Sequence, residues 1–140
     1  MLALRFADLV FANQPALLLP DAQLVEIVHC RDVLERLTGG PGAAFRPSGT
    51  DDGTVSPGEQ VLSVAAEAGY TTVLGFDVDP FDYDDPGAEA VTERTLAAVK
   101  AGSIVSLHFG HPGTVTALPA ILDGLEQRNL TPVTVSTLLG

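Results

Sequence analysis

A chain of 140 residues is of single-domain size, long enough to bury roughly 70% of the surface its unfolded form exposes. Its 18 acidic and 7 basic side chains give a net charge of −11, which repels phosphate backbones and argues against nucleic acid as a partner. A single cysteine, Cys30, excludes an intrachain disulfide framework and, between Val28 and Val33, reads as a small apolar core residue.

The opening stretch through Ala12 is apolar, but Arg5, Asp8, Pro15 and Pro20 interrupt it before it reaches the roughly 18 residues of a membrane span. The same charges break the hydrophobic segment of a signal peptide, so none is evident and the compartment stays open. Asp21 suits the N-terminus of a helix carrying Leu24, Ile27, Val28, Leu34 and Leu37 on one side and ending at Gly39-Gly40-Pro41. His29 on this helix reads as structural. Ala43 to Arg46 predicts a short strand. Ser56-Pro57-Gly58-Glu59 offers an N-cap, a proline at the first helical position and a capping-box glutamate for a helix that stops at Gly69.

Thr71 to Val78 is β-branched and apolar, as a buried strand requires; an acidic loop follows, then a helix from Ala88 to about Ala101. Ser103 to Phe109 predicts the next strand. A helix with Val115, Leu118, Ile121, Leu122 and Leu125 on one face comes after it, capped at Asn129, and Pro132 to Val135 predicts a last strand. Helix and strand alternate with connections too long for hairpins. That order predicts an α/β fold of parallel β/α units in a single domain spanning residues 1–140.

In such folds the working residues gather where strands end. Three polar groups fall there: Arg46-Pro47 after the first clear strand, Asp77 to Tyr83 after the second, and His108 after the third. Taken singly, Arg46 reads equally as a surface charge, the five aspartates from Asp77 to Asp85 as a solvated loop, and His108 as a core histidine bonded to backbone. Together, an arginine, a carboxylate and a histidine form a set that can orient a base, tune an imidazole and donate a proton.

The three segments together resemble the polysaccharide deacetylase family, the NodB-homology domain of carbohydrate esterase family 4. Phe45-Arg46-Pro47-Ser48-Gly49 is similar to the family's R-x-P-x-G stretch, Asp79-Pro80-Phe81-Asp82-Tyr83 to its D-x-x-D-W stretch, and Ile104 to His108 to its hydrophobic-L-H stretch, in matching order and spacing. Gly69-Tyr70, Pro86-Gly87-Ala88 and Ala117 to Leu122 resemble the family's flanks. The resemblance implies a distorted (β/α)7 barrel that hydrolyses acetyl groups, chiefly N-acetyl, on chitin-like or peptidoglycan sugars with a divalent metal, commonly zinc. It implies that Arg46 orients the catalytic base, Asp82 tunes the imidazole and His108 is the general acid, with Pro47, Tyr83 and Leu107 at the substrate pocket.

The departures carry equal weight. The family's T-F-D-D motif, which supplies the catalytic aspartate and a metal-binding aspartate, belongs before the point where this chain begins, so the expectation is a partial barrel lacking its first units. Val10 and Gln14 stand where the H-x-x-x-H-P motif places its two metal-binding histidines. No metal is therefore expected to be bound by this chain. Thr50-Asp51-Asp52-Gly53 imitates the aspartate motif but sits in a glycine-rich loop, and His108 with His111 gives two ligands where stable zinc binding requires more. The expected partner is an N-acetylated polysaccharide or peptidoglycan. A barrel without its leading units would expose a strand edge and self-associate. Three readings follow: a deacetylase inactive as this isolated chain, a carbohydrate-binding pseudo-deacetylase, or a fragment that a partner chain completes.

Overall fold

A computed structural model describes residues 9–12, 20–47 and 58–140 of the chain. The elements in order are β1 (Leu9–Ala12), α1 (Pro20–Thr38), β2 (Ala44–Pro47), α2 (Glu59–Glu67), a 3-10 turn (Asp82–Asp84), α3 (Ala88–Ala98), α4 (Pro112–Gln127) and α5 (Val135–Leu139). The chain divides into two compact units, residues 1–75 with 134–140, and residues 76–133. No helix among the described residues is long and apolar enough to cross a membrane.

In the first unit β1 and β2 pair in parallel with Leu9 opposite Ala44, and Phe45 bridges in parallel to Val73 on the other side of β2. Phe45 is fully buried. It packs with Ile27 of α1, Val61, Val64 and Ala65 of α2, and Tyr70, while Cys30 lies partly buried against this cluster as the sequence predicts. Leu37 departs from its expected place and is 77% exposed. It stands in the last turn of α1, beyond the reach of the cluster around Ile27, and Gly39, at φ 81°, then turns the chain away. The helix begins at Pro20, whose fixed φ suits a first turn, so Asp21 lies inside the helix rather than at its cap. Gly58 occupies the N-cap of α2 with no side-chain cap bond; Ser56 and Pro57, expected to start that helix, lie outside the described residues.

The helix predicted to run to about Ala101 ends sooner, at Ala98, where Val99 turns extended, whereas the stops predicted at Gly69 and Asn129 hold. Gly69 at φ 94° and Asn129 at φ 56° each follow a cap residue, and each is followed by a bond from the next amide back to the helix: Tyr70 to the Ala65 carbonyl and Leu130 to the Leu125 carbonyl, both at 2.9 Å. These are Schellman motifs, which spend the helix's last carbonyls on the turn.

Tyr70 fixes the first unit from inside. Its hydroxyl donates to the Pro41 carbonyl at 2.8 Å, its ring lies 5.9 Å from that of Phe45, and burial, against a smaller opposing influence of Arg31, pushes its phenol up to about 12. A raised phenol favours the folded state fully below its unfolded value of about 10, and that contribution is lost as pH rises toward 12. Tyr70→Phe is expected to cost about 1 kcal/mol at neutral pH. It should also flatten the alkaline limb between these values; urea melts at pH 8 and pH 11 read both.

The second unit is built on α3 and α4. Val91 of α3 and Ala117 and Ile121 of α4 form its core, with Leu107 and Leu125 against them. The buried face of α4 is thus Thr114, Ala117 and Ile121, whereas Val115, expected in the core, is 65% exposed and Leu122 is also exposed. The close approach of α3 dictates this choice. A Cβ at Gly124 would come within 2.4 Å of Leu96, and one at Gly113 within 3.5 Å of the Gly87 backbone, so the small-residue side of α4 faces inward.

The expected strands shrink to single parallel bridges. Residues 71–78 give Val73 to Phe45 and Val78 to Val105, changing partner across Gly75, which denies either side a continuous ladder. Asp77 fixes the second bridge: its carboxylate accepts from the Ile104 amide at 2.7 Å and the Ser103 hydroxyl at 2.9 Å. Burial pushes this carboxyl up, but those bonds prevail and hold it below the usual range. The predicted strand 103–109 is interrupted because the His108 amide goes to a carboxylate instead of a ladder. The last predicted strand, 132–135, is absent: Thr134 accepts from the Thr137 amide at 3.2 Å and caps α5. Among the described residues the parallel β/α character is present, but no closed (β/α)7 barrel is formed.

Candidate functional site

The site of the second unit is assembled from the loop after Val78, the segment ending at His108, and the first turn of α4. Asp79 starts the loop by accepting from the Phe81 amide at 2.8 Å, an Asx turn that draws the backbone round. Phe81 and Asp85 flank the 3-10 turn in the left-handed region, at φ 54° and φ 52°. Gly87, at φ 91°, then opens α3. The effect is to turn Asp82 inward, 1% exposed, and Tyr83 outward.

Asp82 is bound on all sides. One carboxylate oxygen lies 2.8 Å from Nδ1 of His108; the other accepts from the His108 amide at 2.7 Å and from the Thr114 hydroxyl at 2.7 Å. Burial alone would push this carboxyl up, yet the bonds from His108 and Thr114 outweigh it and hold the group below the usual carboxylate range. Asp82 is therefore an ionised acceptor, so Nδ1 of His108 carries the proton that faces it. That fixes the ring's orientation and leaves Nε2 as its working nitrogen. The Tyr83 and His108 rings meet edge to face, centroids 5.2 Å apart and planes at 84°, and Phe81 meets Tyr83 at 6.0 Å and 75°.

Three residues on, the same two segments make a second pair, His111 Nδ1 to Asp85 at 2.8 Å, on the surface. The two histidines thus serve different carboxylates. Among the described residues no three His, Cys, Asp or Glu side chains gather where a metal ion could be held, so the donor set present does not fit the family's metal. Val10 lies in β1; Gln14 and Thr50 to Gly53 lie outside the described residues.

Of the expected site residues, the structure brings together Asp82, His108 and Tyr83. Leu107 is half-buried against Val91, Ala117 and Ile121. Arg46 and Pro47 belong to the first unit, on β2, where Arg46 Nη1 donates to the Pro47 carbonyl at 3.4 Å. Thr114 was missing from the expectation. Its signal was its place three and seven residues before Ala117 and Ile121, on one helix face, at the start of a helix where a hydroxyl can serve a carboxylate.

No protein-family model matches the chain. Individual proteins do. It is 40% identical over 99 residues to a peptidoglycan-N-acetylglucosamine deacetylase of Bacillus cereus, covering 68% of this chain and 44% of that protein. It is 35% identical over 83 residues to a chitooligosaccharide deacetylase of Sinorhizobium fredii, covering 50% of this chain and 38% of the relative. The solved structure of the peptidoglycan deacetylase PdaC from Bacillus subtilis matches 91% of this chain and 59% of its own with a TM-score of 0.75 at 21% identity, which establishes a shared fold. The chain belongs to the polysaccharide deacetylase family, carbohydrate esterase family 4. It spans less than half the length of these two curated relatives.

Proposed function

We propose that this chain provides the proton-donating and sugar-facing part of a polysaccharide N-deacetylase site and is not active by itself. The observation that carries this reading is the clamped Asp82–His108 pair beneath Tyr83. With Nδ1 committed to Asp82, a doubly protonated His108 can deliver its Nε2 proton to the leaving amine nitrogen as the C–N bond breaks in the tetrahedral adduct that water forms at the acetyl carbon, releasing acetate. Asp82 holds the ring and offsets its charge. Tyr83 and Leu107 would border the acetyl group; for Pro47 a place in the substrate pocket, and for Arg46 the orienting of a catalytic base, are what the family resemblance implies. The metal that the family employs enters no step here, because the described donors do not fit it.

A second reading, a carbohydrate-binding pseudo-deacetylase, is favoured by Val10 standing where a metal-binding histidine belongs. Both readings require the dyad to face an acetamido sugar. Adding N-acetylglucosamine oligomers to ¹⁵N-labelled protein is expected to shift the His108 imidazole and Tyr83 signals, whereas fully deacetylated oligomers of equal length should leave them in place. Equal responses to both, or none to either, would remove the acetamide from the proposal. Catalysis and binding then separate by assaying acetate release.

A further inference from the structure

We infer that Phe81 is a sugar-stacking residue, forming the platform for the pyranose adjacent to the one whose acetamide faces His108; this rests on the reading just given. Four observations lead there. Phe81 holds φ 54°, a left-handed conformation rare for any residue with a bulky side chain. The turn does not require a phenyl group, since its backbone is held by the Asp79 carboxylate on the Phe81 amide at 2.8 Å and by Arg94 on the Pro80 carbonyl at 3.1 Å. Glycine would adopt the same φ without strain. Nor does the core require it: the side chain belongs to neither buried cluster, and the residue is 43% exposed.

What the ring does touch is Tyr83, edge to face, one aromatic layer away from His108. Strained, exposed residues of this kind concentrate at ligand sites, where the surrounding bonds hold an unfavourable backbone in place for its side chain's sake. The exposed Phe81 ring offers an apolar face that suits the C–H face of a pyranose, and it stands one ring beyond Tyr83 from His108, a spacing suited to the next sugar of a linked glycan. The carboxylates of Asp79, Asp84 and Asp85 on the same loop select a neutral or amino sugar over an anionic one.

The test uses the intact 140-residue chain with N-acetylglucosamine and its linear tetramer as probes, followed by NMR titration, alongside thermal melts. Phe81→Gly is expected to weaken tetramer binding about fivefold or more, in line with the contribution of one aromatic contact, while monomer binding changes less than about twofold. Its Tm should fall only slightly, because relief of the left-handed strain offsets the lost Tyr83 contact and the added freedom of the unfolded chain. Phe81→Trp should keep tetramer affinity. Unchanged tetramer affinity in Phe81→Gly, or a loss in Phe81→Trp as large as that in Phe81→Gly, overturns the inference and leaves a turn residue. A wild-type chain that binds neither probe overturns the functional reading itself.

Discussion

Supplied with zinc or cobalt and acetylated chitooligosaccharides or peptidoglycan fragments, the 140-residue chain is expected to release acetate only at the background rate. A bound metal lowers the pKa of its water to about 7 and polarises the carbonyl, whereas a positioned general acid contributes about 10² to 10⁴-fold. Enzymatic hydrolysis typically needs at least about 10⁶-fold. His108, however well held by Asp82, falls short by two or more orders of magnitude. Val10 and Gln14 offer no histidine nitrogen, and the described residues hold no cluster of three metal-ligating side chains. Calorimetry should accordingly show no tight zinc binding. Metal-dependent turnover that disappears in His108→Ala would sink this expectation and direct attention to Asp51, Asp52 and His111 as ligands.

The features legible in the sequence were those decided by a few neighbouring residues. Gly69 and Asn129 end their helices because their own backbones tolerate the left-handed turn, and α1 to α4 emerge where the apolar spacing is helical. The dyad is legible through motif order, which places Asp82 and His108 after two successive apolar segments that bridge at Val78 and Val105. What failed depended on partners distant in sequence. Residues 71–78 look like one strand, yet Val73 and Val78 bond to different neighbours. Val115 is as apolar as Ile121, but α3 approaches along the small residues of α4 and leaves Val115 in solvent. The β-branched run near Thr134 reads as a strand until its threonine hydroxyl is seen to cap α5. The left-handed turn at Phe81 is likewise not marked by its own residue type; Asp79 and, from α3, Arg94 both hold the peptide unit that precedes it.

Asp82→Ala is expected to destabilise the second unit by about 3 kcal/mol, the largest effect of any single side chain in the loop. The carboxylate is the shared acceptor of the His108 amide, the His108 ring and the Thr114 hydroxyl, and Thr114 is itself buried. Deleting it leaves the buried Thr114 hydroxyl and the part-buried His108 amide without their acceptor, although water can reach the His108 ring, and an unsatisfied buried donor costs about 1–3 kcal/mol. Asp85→Ala removes the neighbouring His111 pair, but on the surface, where such pairs contribute about 0–1 kcal/mol. The two substitutions therefore form an internal control with the same chemistry at different burial. The acid limb adds a second test. Asp82 titrates below its unfolded value of about 3.9, so its stabilisation is present above that value and is lost as pH falls through the lower, folded one. Asp82→Asn cannot ionise and should be less stable than wild type at pH 7 but lose less on going to pH 3, with Asp77 supplying the acid sensitivity that remains. Urea melts at both pH values, together with hydrogen exchange of the His108 amide, measure these differences. An Asp82→Ala cost no greater than that of Asp85→Ala would mean that the carboxylate is not the anchor of this loop, and His108 would then lack the fixed orientation on which its proton transfer depends.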